Sequence, residues 1–114
     1  CDPIPFRKAC EDGYDRMVLV LTRNKGYRKE EEVKLPPFFY HKYPALKNRL
    51  YHRMREYNKT MDEIEMMEKN NKAIVIRPQK PLVVDRIERN IKKLTDLYEE
   101  GYHCAEAVFS AVNL

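Results

Sequence analysis

Apolar residues along this chain fall into two kinds of grouping: short unbroken runs, and long stripes spaced three or four residues apart. Met17-Val18-Leu19-Val20-Leu21 and Ala73-Ile74-Val75-Ile76 are the runs, bounded by Asp15-Arg16 and Thr22-Arg23 and by Arg77-Pro78. An unbroken β-branched run without polar alternation predicts a strand covered on both faces, as in parallel sheets. Leu46, Leu50, Met54, Tyr57, Met61, Ile64 and Met67 form one stripe and predict a helix over 45–70, roughly 40 Å long at 1.5 Å per residue. Ile87, Ile91, Leu94, Tyr98, Gly101, Ala105, Val108 and Val112 form a second stripe and predict the last helix. Its start is open. Asp85 with Glu88 resembles a capping box, whereas Asn90 would cap a later start. Met54, Tyr98 and Tyr102 lie at helical spacing and are expected in the core.

Between these elements the signals are local. Residues 2–13 predict a short helix, with Pro5 at a first helical position, Phe6, Ala9 and Cys10 on one face, and Gly13 just past the end. Residues 23–37 read as an exposed loop, Phe38–Tyr43 as an aromatic helical turn ended by Pro44, and Asn70-Asn71 as a turn. Residues 79–84, with Pro81, read as extended. The architecture is α/β, with two short parallel-type strands and three or four helices. A helix followed by a buried-type strand is the back half of a βαβ crossover, whose first strand would precede residue 1. Two strands cannot hide their own edges and apolar faces, so the chain reads as an incomplete piece of a larger α/β protein.

Composition narrows the classes. Of 114 residues, 43% are hydrophobic and 35% charged, the latter above the roughly 25% of an average domain. The apolar share is too high for a disordered tail, and no apolar run approaches the ~20 residues that span a bilayer. Lys and Arg number 22 against 18 Asp and Glu, a net charge of +4. Cys1, Cys10 and Cys104 are an odd set without C-x-x-C spacing, which argues against a disulfide framework and a structural zinc, and suits a reducing cytosol. A chain opening on Cys1 without a signal-peptide pattern is expected to be a processed or truncated product.

The order of several short pieces resembles a known family. Asp2-Pro3-Ile4-Pro5 with Lys8-Ala9, then Asp12-Gly13-Tyr14-Asp15 and Val18-Leu19-Val20-Leu21-Thr22-Arg23, are similar to the stretch that follows the Asp-Gly-Gly motif of bacterial patatin-like phospholipases. Lys25-Gly26-Tyr27-Arg28-Lys29, Tyr43-Pro44, Tyr57-Asn58, Val75-Ile76-Arg77-Pro78 with Lys80-Pro81-Leu82, and Leu97-Tyr98 with Gly101-Tyr102 extend the resemblance over nearly the whole chain. It implies a three-layer α/β fold and a serine acyl hydrolase. In that chemistry a G-x-S-x-G elbow exposes the serine, a carboxylate takes its proton and backbone N–H groups hold the oxyanion. None of these parts is in this chain: its glycines are Gly13, Gly26 and Gly101, its serine is Ser110, and no Gly-Gly follows Asp2. The expectation is therefore a non-catalytic C-terminal portion. Residues 1–22 would be the tail of the catalytic domain, 23–43 a basic and aromatic connection, and 44–114 a helix-strand-helix cap. No cofactor or metal is expected. The expected partners are the rest of its own polypeptide, a phospholipid or membrane surface, and further copies of itself when isolated, in a cytoplasmic setting that includes the membrane periphery.

Candidate contact residues are basic. Arg23, Lys25, Arg28 and Lys29 follow the first strand, and Arg77 and Lys80 follow the second. In a parallel sheet both groups lie at the carboxyl edge, where open α/β folds bind ligands. They would attract anionic lipid headgroups; the alternative is a solvated loop. A non-enzymatic basic module is the competing class of function. Nucleic acid is not expected, because the modest charge comes without any recognition motif. Phe38, Phe39, Tyr40 and Tyr43 are expected to pack in the core rather than anchor at an interface. The long helix has an odd charge order. Lys47, Arg49, Arg53, Arg55 and Lys59 precede Asp62, Glu63, Glu65 and Glu68, opposite to what the helix dipole favours. His41, His52 and His103 lack metal-ligand spacing, and Cys104 reads as a small packing thiol.

Overall fold

The computed structural model describes residues 4–30, 36, 38 and 41–112. Its elements run α1 (Phe6–Glu11), β1 (Met17–Val20), α2 (Pro44–Lys69), β2 (Ala73–Ile76) and α3 (Ile91–Val112). The fold is an α/β mix. β1 and β2 pair in parallel as a two-stranded sheet, with Met17 opposite Ala73 and Val20 opposite Ile76. The Leu21 N–H extends the ladder to the Ile76 carbonyl at 2.8 Å. Pro78, which has no N–H, cannot carry it further.

Local chemistry sets the element ends. In α1 the Tyr14 N–H reaches the Ala9 carbonyl and the Gly13 N–H reaches that of Cys10, with Gly13 at φ 90. That is a Schellman ending, which needs a left-handed residue. Asn71 plays the same part after α2 at φ 56, with the Lys72 N–H on the Met67 carbonyl and its own on that of Glu68. Pro44 opens α2 at a position where its missing N–H costs nothing. The start of α3 is decided by Asn90, whose Oδ1 accepts the Lys93 N–H at 3.3 Å. Glu88 instead accepts the N–H groups of Arg89 and Asn90.

Strand alternation sends Met17, Leu19 and Leu21 to one sheet face, and the core forms there. Phe6, Leu21, Met61, Ile64 and Val75 make its buried cluster, with Ile4, Leu19, Tyr57 and Met67 packed around it. Both α1 and α2 therefore cover the same face. The stripe of α2 is used only in its second half: Met61 and Ile64 are fully buried, whereas Leu46 is 50% exposed. On the other face α3 reaches β2 but buries none of its own residues completely.

Two core expectations are corrected. Tyr98 and Tyr102 are exposed, as are Phe38 and Tyr43. Helical spacing marks a face as apolar without supplying the layer that covers it. Phe39 and Tyr40 lie outside the described residues. The radius of gyration is 17.1 Å, against about 13 Å for a closed domain of this length.

Ile64→Ala should lower the unfolding free energy by about 2–5 kcal/mol, through lost burial and the cavity left behind. Leu46→Ala should stay within about 0.5 kcal/mol. Denaturant midpoints of the two variants measure both.

Candidate functional site

The connection after β1 turns sharply and then lies along α2. Asn24 to Tyr27 is a turn closed by the Tyr27 N–H on the Asn24 carbonyl at 3.2 Å, with Gly26 at φ 78. A positive φ at that third position is what a type II turn asks of glycine. The Gly26 N–H then points to Glu65 Oε1 at 3.3 Å. Asn58 holds the next residue by both backbone groups: its Oδ1 accepts the Lys29 N–H at 2.8 Å, and its Nδ2 donates to the Lys29 carbonyl at 3.0 Å.

The six sequence-predicted cations separate into three kinds. Arg28 and Arg77 are neutralised. Arg28 donates to Asp62 through Nε at 3.0 Å and Nη2 at 2.6 Å, and Nη1 reaches Glu65 at 3.3 Å. Arg77, with a side chain only 7% exposed, pairs with Glu68 and lies 3.9 Å from Glu65. The two arginines thus converge on Glu65. Arg23 and Lys29 are stacked on aromatic rings instead. The Arg23 guanidinium lies 4.9 Å from the Tyr27 centroid, the Lys29 ammonium 4.2 Å from that of Tyr57, and the rings meet edge to face at 6.4 Å. Lys25 and Lys80 are exposed on the surface.

Electrostatics follow this division. Hydrogen bonding from Arg28 holds the Glu65 carboxyl below its ordinary range, assisted by the Gly26 N–H. Arg7 does the same for Glu63. Lys29 is pushed the other way: burial lowers its pKa first, and the positive fields of Arg53, Arg86 and Arg23 add to it. Arg53 and Arg86 were not legible as members of this cationic group, because they come from α2 and from the segment before α3. The cations grouped around Lys29 are therefore Arg23, Arg53 and Arg86, with Lys25 nearby in sequence, rather than the full rim.

A second feature is a cavity of about 340 Å³ beyond the strand ends, lined by residues that include Val20, Ile76, Leu82, Leu97, Gly101 and Cys104. Its walls are mostly apolar, and Arg77 Nη1 and Glu100 Oε1, from two of its lining residues, are sealed without hydrogen-bond partners among the described residues. Cys104 is half-buried, and His103 pairs with Glu106 at 3.4 Å, both of them exposed. Among the described residues no group of three or more His, Cys, Asp or Glu could hold a metal ion, and no helix is long and apolar enough to cross a membrane.

The depressed carboxyls make a pH prediction. A carboxyl whose folded pKa is lowered contributes stability above its unfolded value, about 4.3 for Glu, and loses it as pH falls through the folded value. Unfolding free energy should therefore drop on acidification below about pH 4.3, and Glu65→Gln should shrink that drop. Urea melts across the acid range measure it.

Comparison with known proteins gives a family match. The family model described as a domain of unknown function, DUF6363, covers residues 43–113. No curated protein and no solved structure matches the chain. That match takes in α2, β2 and α3 together, and by it the chain belongs to the DUF6363 family.

Proposed function

We propose that this chain is the non-catalytic C-terminal segment of a patatin-like serine acyl hydrolase, in which it completes the sheet and shapes the entrance to the active site. The observation that carries the reading is α3: a 22-residue amphipathic helix with no residue fully buried, and with Ile91, Tyr98 and Tyr102 more than half exposed. Burial of apolar surface is the main force that holds a helix in place. A helix in this state lacks a layer, and a parallel sheet of two strands lacks neighbours. Both deficits fit a part of a larger three-layer α/β protein. The order helix, strand, long helix, strand, helix also fits the resemblance in the sequence.

The serine elbow and Asp-Gly-Gly are not in these residues, so the segment by itself has no ester-hydrolysing machinery. The expected result is hydrolysis of a p-nitrophenyl acyl ester by the full-length gene product and none by residues 1–114. Activity of the 114-residue chain alone, or an inactive full-length protein without G-x-S-x-G, would sink the reading.

A second role rests on the cationic group. Arg23, Lys29, Arg53 and Arg86 show no carboxylate partner among the described residues, and positive charge held beside tyrosine rings suits anionic headgroups at the periphery of a membrane. Anionic vesicles should sediment the protein. The double variant Arg23→Gln/Arg53→Gln should weaken that binding by roughly thirtyfold, at about 1 kcal/mol per cation near the surface. Arg77→Lys should leave the surface charge, and hence the binding, unchanged. Equal sedimentation with neutral vesicles would remove the role.

A further inference from the structure

Among the described residues β1 has one edge on β2 and one edge open. The Leu21 N–H points to β2, and hydrogen-bonding groups alternate sides along a strand. Met17 and Leu19 therefore also face β2, while Val18 and Val20 present their N–H and C=O groups at the open edge. On β2 the Ile76 carbonyl faces β1, so Ala73 and Val75 present theirs at the opposite edge of the sheet. Both edges could in principle accept another strand.

Three observations separate them. A groove of about 310 Å³ runs along the open side of β1, lined by residues that include Phe6, Ala9, Tyr14, Met17, Val18 and Leu19. It has α1 as one wall and the strand as the other. Tyr14 and Val18 in its lining are 64% and 45% exposed, apolar surface beside a strand whose type is normally covered. Finally, α1 and α2 lie on the same sheet face: Phe6 shares the buried cluster with Met61 and Ile64, and Arg7 pairs with Glu56 and Glu63 of α2.

The last observation fixes direction. Connections between parallel strands of one sheet keep one hand. Two successive crossovers with their helices on the same face must then step across the sheet in the same sense. α2 steps from β1 to β2. A crossover through α1 that ends in β1 must begin on the far side of β1.

We infer that the open edge of β1 receives a third, parallel strand, supplied by the segment of the same polypeptide immediately upstream of residue 1 and leading into α1. The sheet order is then upstream strand, β1, β2, with β1 central and covered on both edges. A second copy of the chain does not meet these constraints. Two β1 edges related by a two-fold axis pair antiparallel, and neither strand would be joined to α1. The inference rests on topology alone and stands whether or not the protein hydrolyses esters.

Amide hydrogen exchange tests it residue by residue, comparing dilute 114-residue chain with the full-length gene product. Val18 and Val20 should exchange rapidly in the short chain and slow by at least about a hundredfold in the full-length protein, as amides do on entering a core ladder. Leu19 and Leu21, already turned toward β2, should change far less. New protection at Val75 without protection at Val18 and Val20 would place the strand on the wrong edge and overturn the inference. So would protection of Val18 and Val20 that vanishes on dilution, since that marks pairing between copies, or a reading frame with no residues upstream. An ester-hydrolysis assay on the same samples reports separately on the hydrolase reading.

Discussion

The acidic second half of α2 is the constraint from which the rest of this structure follows. With Glu56 just before it, its carboxylates meet three cations from different stretches of chain: Glu56 and Glu63 hold Arg7 of α1, Asp62 and Glu65 hold Arg28 of the loop, and Glu65 and Glu68 hold Arg77 at the end of β2. Directly beside them on the same helix, Met61 and Ile64 carry the core. The apolar contacts supply the free energy and the ion pairs fix which segment lies where. This explains the charge order along α2, which runs against the helix dipole. A dipole contributes some tenths of a kcal/mol per end charge, about what each exposed pair contributes, whereas removing the partner of Arg77, whose side chain is only 7% exposed, costs several times that.

Much of the fold could be read from residue order, and the reasons differ by element. β1 and β2 were visible as unbroken β-branched runs, and α2 and α3 as stripes, because backbone periodicity is a local property. The ends at Gly13 and Asn71 were also visible, since few residues tolerate a left-handed backbone. The start of α3 needed side-chain geometry to choose Asn90. Tyr98 and Tyr102 were misplaced in the core because a stripe records that a helix has an apolar side, not that anything covers it.

The candidate site was legible only in part, for a related reason. Arg28 and Arg77 looked like ligand contacts when read beside their neighbours in the chain. Their true counterparts are carboxylates on a face of α2, and for Arg28 those lie 34 and 37 residues away in sequence. Nothing local encodes such a pairing. Arg23 and Lys29 kept their candidacy because tyrosine rings, and not carboxylates, lie against them. The same folding step therefore cancels some of the positive charge and concentrates the remainder on one side of the β1–α2 connection.

One last consequence belongs to the shape of α2. Its 26 residues form a single helix whose far end is gripped by core and carboxylates while the near end, around Leu46, projects with little burial. A rod held in that way is a cantilever. Whatever pushes sideways on the exposed end exerts a torque at the clamp, some tens of ångströms away at 1.5 Å per residue, where Arg28 and Arg77 share Glu65.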